Sequence, residues 1–163
     1  NFNDSKQLIE KLRKIDFVSY RAAIYKEFII QKIDEKIHNT LEILAKSHAL
    51  FIITSGGERN INGYLKENNI QHLFKQTLGA ETNKSKEIKL NIVSKDSGSS
   101  KEEILFVTDT LGDIREANNF GVQSVAVDFG YHTKETLEKG NPVQIISQFE
   151  DILSIVKELS EKV

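Results

Sequence analysis

The chain has 163 residues, 39% of them hydrophobic and 28% charged, which suits one globular domain with an ordinary core and excludes a disordered polypeptide. A net charge of −2, with Lys and Glu interspersed, excludes the basic face of a nucleic-acid binder. The lack of cysteine excludes disulfides, thiolate metal sites and a cysteine nucleophile, and no apolar run approaches the ~20 residues of a membrane helix.

These bounds lead to the expectation of a soluble, cytoplasmic protein without nucleic-acid or membrane partners. The chain opens at Asn1 and contains no methionine, and its natural start is expected upstream. From Asp4 to about Ser47 apolar residues recur every three or four positions, among them Leu8, Leu12, Ile15, then Ile33, Ile37, Leu41 and Leu44, which predicts helices. Asp4 and Ser5 are capping types for the first of them. Ala49 to Thr54 is an apolar run too short for a helix. Ser55-Gly56-Gly57 follows it, so it reads as a buried strand ending in a polar turn.

An amphipathic stretch from Glu58 to Asn68 predicts a helix, and the Asn68-Asn69 pair should end it. A short segment at Thr77 to Ala80 leads to a helix from about Ser85 to Lys95, and Asp96 to Ser100 is a loop by composition. Ile104, Leu105, Phe106 and Val107 form the continuous apolar run of a parallel strand covered on both faces. A helix to Asn119 is closed by Gly121, Gln123 to Val127 and Val143 to Ile146 are further strands, and Gln148 to Lys162 is a terminal helix with Ile152, Leu153, Val156 and Leu159 facing in. Strands alternating with helices predict a Rossmann-like α/β sandwich of three layers around a mostly parallel sheet.

The stretch Phe106-Val-Thr-Asp-Thr-Leu-Gly-Asp113 holds the densest chemistry. Asp109 falls just beyond the C-terminal end of its strand, where open α/β sheets place ligands, and Asp113 enters the following helix. Two oxygen-only ligands on a short loop suit a hard cation such as Mg2+, although Asp113 also fits a plain first-turn residue favoured by the helix dipole. Thr54 offers a hydroxyl at the end of its strand, a position that also fits a helix N-cap region.

Three landmarks, a strand ending in Thr54, a lysine heading a helix (Lys84) and the Asp109/Asp113 motif, stand in the order found in the haloacid-dehalogenase-like hydrolases, and the chain resembles that superfamily from about Leu41 onward. Val125-Ala-Val-Asp-Phe-Gly-Tyr-His132 is similar to the strand and Gly-aromatic turn of its phosphoglycolate-phosphatase-like members. The resemblance implies Mg2+-dependent phosphoryl transfer from a small phosphorylated metabolite. It gives Thr54, Ser55, Gly56 and Lys84 to phosphate, with Thr54 and Lys84 catalytic, and Asp109 and Asp113 to the metal. Lys86 is the alternative to Lys84, and Asp128 is expected to be structural.

That superfamily begins its chemistry at an Asp-x-Asp motif on a first strand, which this sequence lacks; Asn1-Phe-Asn3 matches the spacing only with amides, which are not nucleophiles of the needed strength. The expected division is a partial helical cap at residues 1–33 and a core at 34–163 without its first strand. An open channel is expected between the strands of Ala49 to Thr54 and Ile104 to Thr108. The chain alone is expected to turn over little or no substrate. The alternative is an inactive relative that binds phosphate, metal or a protein. A receiver-like domain is disfavoured because the lysine precedes the acidic strand, and dinucleotide binding because no Gly-x-Gly-x-x-Gly follows any strand.

Overall fold

A computed structural model describes residues 29–161. Most of the expected cap, including the helices placed on Leu8 to Phe28, lies outside the described residues. The first full helix, α1 (Glu35–Ala45), starts where Asp34 accepts the Lys36 amide, and it buries Thr40 and Leu44. β1 (Leu50–Ile53) and α2 (Glu58–Glu67) follow. β2 (Phe74–Leu78) extends a segment that the sequence marks only weakly, because Lys75, Gln76 and Thr77 break any apolar run.

α3 (Lys86–Ser97) begins at Ser85, whose hydroxyl accepts the Ile88 amide, and ends at Gly98 in the left-handed region. β3 (Leu105–Thr108), α4 (Leu111–Phe120) and β4 (Gln123–Val127) come next, with Gly121 at φ 91° closing α4 as expected. A short helix α5 (Lys134–Leu137), β5 (Gln144–Ile146) and α6 (Ile152–Ser160) complete the described chain.

Among the described residues all strand pairs are parallel, but the strands form two sheets: β1 with β2, and β3 with β4 and β5 in that order. The helices cover two faces. On one, Leu44 of α1 and Ile152 and Ile155 of α6 pack on Val125, Val127 and Ile146. On the other, Leu90 of α3 and Ala117 of α4 meet Phe106 and Val122, while Ile114 and Leu137 enclose Ala126. This is the expected α/β sandwich with β4 at the centre of its sheet. The inward residues of α6 are Ile152 and Ile155, with Leu153, Val156 and Leu159 only partly buried against the same cluster.

Between β1 and β3 lies a cavity of about 760 Å³, bordered by Leu50 to Ile53 on one side and Ile104 to Val107 on the other.

Candidate active site at the strand ends

The C-terminal ends of β1 and β3 point toward the start of α3, and α3 joins them. Its buried positions are Lys86, Lys89, Leu90 and Val93, a spacing of three, four and seven that defines one helix face. The lower part of this stripe is apolar and packs in the core; its first turn carries two lysines. Lys86 Nζ donates to Asp113 Oδ2 at 3.0 Å, and the pair is largely enclosed, with side-chain exposures of 6% and 21%. Lys89 is fully buried, and its Nζ donates to the Thr54 carbonyl oxygen at 2.6 Å. Burial pushes the Lys89 ammonium below the usual lysine range, helped by repulsion from Lys86 and opposed by the carboxylates of Glu58, Asp113 and Glu116.

The acidic motif is rigidly held. Asp113 Oδ2 also accepts from Thr108 Oγ1 at 3.1 Å, while Thr110 caps α4 by accepting the Asp113 amide at 3.2 Å. Asp109 lies one turn of chain earlier, with Oδ2 accepting from the Tyr131 amide at 2.8 Å and its carbonyl accepting from the His132 amide. A Cβ on Gly130 would stand 2.3 Å from Asp109 Cβ, so only glycine lets the 128–133 turn approach this closely. The His132 ring closes the turn, its Nδ1 accepting from the Leu111 amide at 2.9 Å, which places the ring proton of a neutral imidazole on Nε2.

The opposite side is built by backbone. The Thr54 amide donates to the Leu78 carbonyl, and the Gly56 amide donates to Thr54 Oγ1 at 3.0 Å. Ser55 and Gly56 are exposed. Behind this turn Glu58 accepts from the Gly79 amide at 2.9 Å and from the Thr82 hydroxyl, while its own amide donates to Glu81. The Thr82 and Gly79 bonds hold the Glu58 carboxyl below the usual carboxylate range. A Cβ on Gly79 would fall 2.4 Å from Glu58 Cγ, so this clasp also depends on glycine.

Of the residues singled out from sequence, Thr54 and Asp113 are thus linked through the first turn of α3, and Asp109 stands at the end of β3, just before the α4 turn that carries Asp113. Lys84 is the exception. It precedes the Ser85 cap and is exposed, whereas Lys86, the alternative, reaches Asp113. The reason is helical geometry: the cap at Ser85 puts position 86, not 84, on the face shared with Leu90 and Val93. Lys89 was missed altogether. Extending the Leu90/Val93 stripe back by one turn would have found both lysines. Asp128 accepts from Ser147 across the ends of β4 and β5, consistent with the structural role expected of it.

Among the described residues no three His, Cys, Asp or Glu side chains cluster as a metal site. Asp109 Oδ1 and Asp113 Oδ1 make no hydrogen bond among the described residues, and two carboxylate oxygens suit a hard cation that keeps most of its waters.

The sequence profile of the haloacid dehalogenase-like hydrolases matches residues 2–127. The chain belongs to that family. It is 29% identical over 131 residues to a phosphoglycolate phosphatase of Mannheimia succiniciproducens, covering 78% of this chain and 58% of that protein. Against a phosphoglycolate phosphatase of Photorhabdus laumondii the identity is 32% over 121 residues, covering 72% of this chain and 52% of that protein. The crystal structure of a predicted phosphoglycolate phosphatase from Haemophilus somnus 129pt superposes with a TM-score of 0.73 at 27% identity, over 80% of this chain and 61% of that one. The chain therefore spans little more than half the length of these curated relatives. It folds as a haloacid dehalogenase-like α/β domain similar to phosphoglycolate phosphatases, and no helix among its described residues is long and apolar enough to cross a membrane.

Proposed function

We propose that these residues form the phosphate- and metal-binding part of a Mg2+-dependent phosphatase acting on a small phosphorylated metabolite in the cytoplasm. One observation carries the reading: Lys86 and Lys89, three residues apart on α3, tie the Asp113 carboxylate to the turn that begins at Thr54. A phosphate seated between the two strand ends meets the Thr54 hydroxyl and the Ser55 and Gly56 amides on one side and the Lys86 ammonium on the other. To serve it, the Gly56 amide releases Thr54 Oγ1. Lys86 offsets charge developing on the transferring phosphoryl group, and Lys89 fixes the carbonyl from which the donor turn starts.

Asp109 and Asp113 would hold Mg2+, which when bound neutralises phosphate oxygens and orients the ester. In this reading Asp109 and Asp113 serve the metal, and residues 1–163 hold no Asp-x-Asp motif to offer a further carboxylate for attack on phosphorus. The names carried by the relatives make 2-phosphoglycolate the first substrate to try.

The absence of an Asp-x-Asp strand from these residues favours one second reading, a member that binds phosphate or metal without hydrolysis. Hydrolysis of p-nitrophenyl phosphate and of 2-phosphoglycolate separates the two. Residues 1–163 alone should show little turnover, and a protein that also carries a carboxylate nucleophile should show turnover that chelation of Mg2+ abolishes. Robust Mg2+-dependent turnover by residues 1–163 alone would overturn the missing-nucleophile argument. Binding without turnover after the nucleophile is added would select the second reading.

A further inference from the structure

α3 and α4 meet along one face of each helix. On α4, Asp113, Glu116, Ala117 and Phe120 lie three, four and seven residues along the chain from the first of them and so share a face. Its lower part is apolar, where Ala117 and Phe120 join the cluster that contains Leu90 of α3. Its upper part is acidic and grips Lys86, the first residue of α3, at both ends. The Lys86 ammonium donates to Asp113 Oδ2 at 3.0 Å, and the Lys86 backbone amide donates to Glu116 Oε2 at 2.7 Å.

The second of these bonds does what the helix cannot do for itself. The first amides of a helix have no partner inside it, and those of α3 are weakly served by its own cap: Ser85 Oγ accepts the Ile88 amide at 3.4 Å, and the Ser85 carbonyl accepts the Lys89 amide at 3.4 Å. The short bond at the helix start comes instead from Glu116, thirty residues away, with the length of a charge-assisted contact and a negative charge against the positive end of the helix. A lysine side chain turns about four bonds, so an ammonium tethered to Asp113 alone is compatible with several placements of its backbone. Fixing the amide as well removes that freedom, and a misplacement of about 1 Å in such a group costs up to about 10²-fold in rate. The charge of Glu116 by itself repels an arriving phosphate. Any help it gives to phosphate binding therefore comes through position.

We propose that Glu116 is a positioning residue for Lys86: by accepting the Lys86 amide across the helix pair, it fixes the first turn of α3 so that the ammonium stands between the ends of β1 and β3. Glu116 acts through Lys86, so its role rests on the proposed reading of Lys86 as the lysine that meets phosphate. Asp113 and Glu116 lie one helical turn apart, and α4 thereby carries both anchors of the lysine, together with a carboxylate assigned to the metal, as one rigid piece. The bond and the charge of Glu116 act on phosphate in opposite directions. Substitutions separate them, since glutamine keeps the reach of the acceptor without the charge and aspartate keeps the charge without the reach.

The test compares the parent chain with Glu116→Gln, Glu116→Asp and Asn119→Ala, the last cutting the 3.4 Å bond from Asn119 to Glu87 across the same two helices. Hydrogen exchange of the Lys86 amide, read by 15N NMR without phosphate, should be slow in the parent, Gln and Asn119→Ala proteins and about tenfold faster or more in Glu116→Asp. Inorganic phosphate, titrated by 31P NMR, should bind Glu116→Gln within about twofold of the parent or more tightly, and Glu116→Asp about tenfold more weakly, with Asn119→Ala unchanged. Phosphate affinities that stay together in all four proteins, even where a variant melts earlier, would leave Glu116 a structural residue and overturn the proposal. Weakening by Gln with Asp unchanged would assign the effect to charge, and equal weakening by Asp and Asn119→Ala would assign it to a general loosening of the helix pair; either result overturns it too. Failure of the parent chain to bind phosphate sinks the phosphate reading of Lys86 and the proposal with it, whereas phosphate binding that ignores Glu116 sinks the proposal alone.

Discussion

The turn after β3 and the turn after β1 meet the same helix by different means. The first is fixed by side chains: Thr108, Thr110 and Lys86 converge on Asp113, and the Gly130 to His132 turn closes on Asp109. The second is fixed by backbone groups: the Thr54 carbonyl takes the Lys89 ammonium, its amide is paired to Leu78, and its hydroxyl only receives the Gly56 amide. Removing a side chain from the acidic turn leaves a buried charge without a partner. Removing one from the Thr54 turn leaves the backbone scaffold in place, and the damage there is to ligand binding.

The largest expected effect contrasts two lysines. In protein with phosphatase activity, Lys86→Ala should lower kcat by about 10²–10³-fold, the usual cost of losing a group that stabilises developing charge, while Lys84→Ala should stay within about twofold. Steady-state kinetics with 2-phosphoglycolate measures both, and similar losses for the two would erase the distinction. Next comes stability. Asp113→Asn leaves Lys86 enclosed without its carboxylate and should cost about 3 kcal/mol in urea denaturation, whereas Thr54→Val should cost about 1 kcal/mol or less.

Glycines sharpen the same contrast. Gly130→Ala drives a Cβ into Asp109 and should cost about 1–3 kcal/mol while loosening the metal-binding turn. Gly112→Ala in the first turn of α4 meets nothing within 4 Å and should be neutral or stabilising by up to about 1 kcal/mol. Thermal melts decide between them, and equal effects would refute the account of the close approach.

The smallest effect is one of pH. Glu58 is held below the usual carboxylate range by Thr82 and Gly79, so its contribution is complete above the unfolded value of about 4.3 and is lost as pH falls through the lower folded value. Glu58→Gln should reduce stability at neutral pH and flatten that acid limb. An unchanged acid limb would show that the clasp behind Thr54 does not titrate as described.

How much of this could be read in the sequence follows from the same physics. Ile104 to Val107 and Gln123 to Val127 announced themselves because strands covered on both faces are continuously apolar. β2 did not, since Phe74-Lys-Gln-Thr-Leu78 has one strand neighbour among the described residues and exposes Lys75 and Gln76. The positions of Thr54 and Asp109 at strand ends and of Asp113 in the first turn of a helix were legible because local pattern fixes them. Lys86 stood only as the alternative to Lys84, and Lys89 had no role, because a lysine buried on a helix face is set by tertiary partners, here Asp113 and the Thr54 carbonyl, and periodicity alone counts it as solvated.

The most direct test of the shared site is titration of inorganic phosphate, followed by 31P NMR, into residues 1–163 and into the Lys86→Met, Thr54→Val and Lys84→Met variants. Phosphate should bind the parent chain and Lys84→Met alike, and weaken at least tenfold in both Lys86→Met and Thr54→Val. Unchanged binding in Lys86→Met, or loss confined to Lys84→Met, would contradict a phosphate held between the ends of β1 and β3.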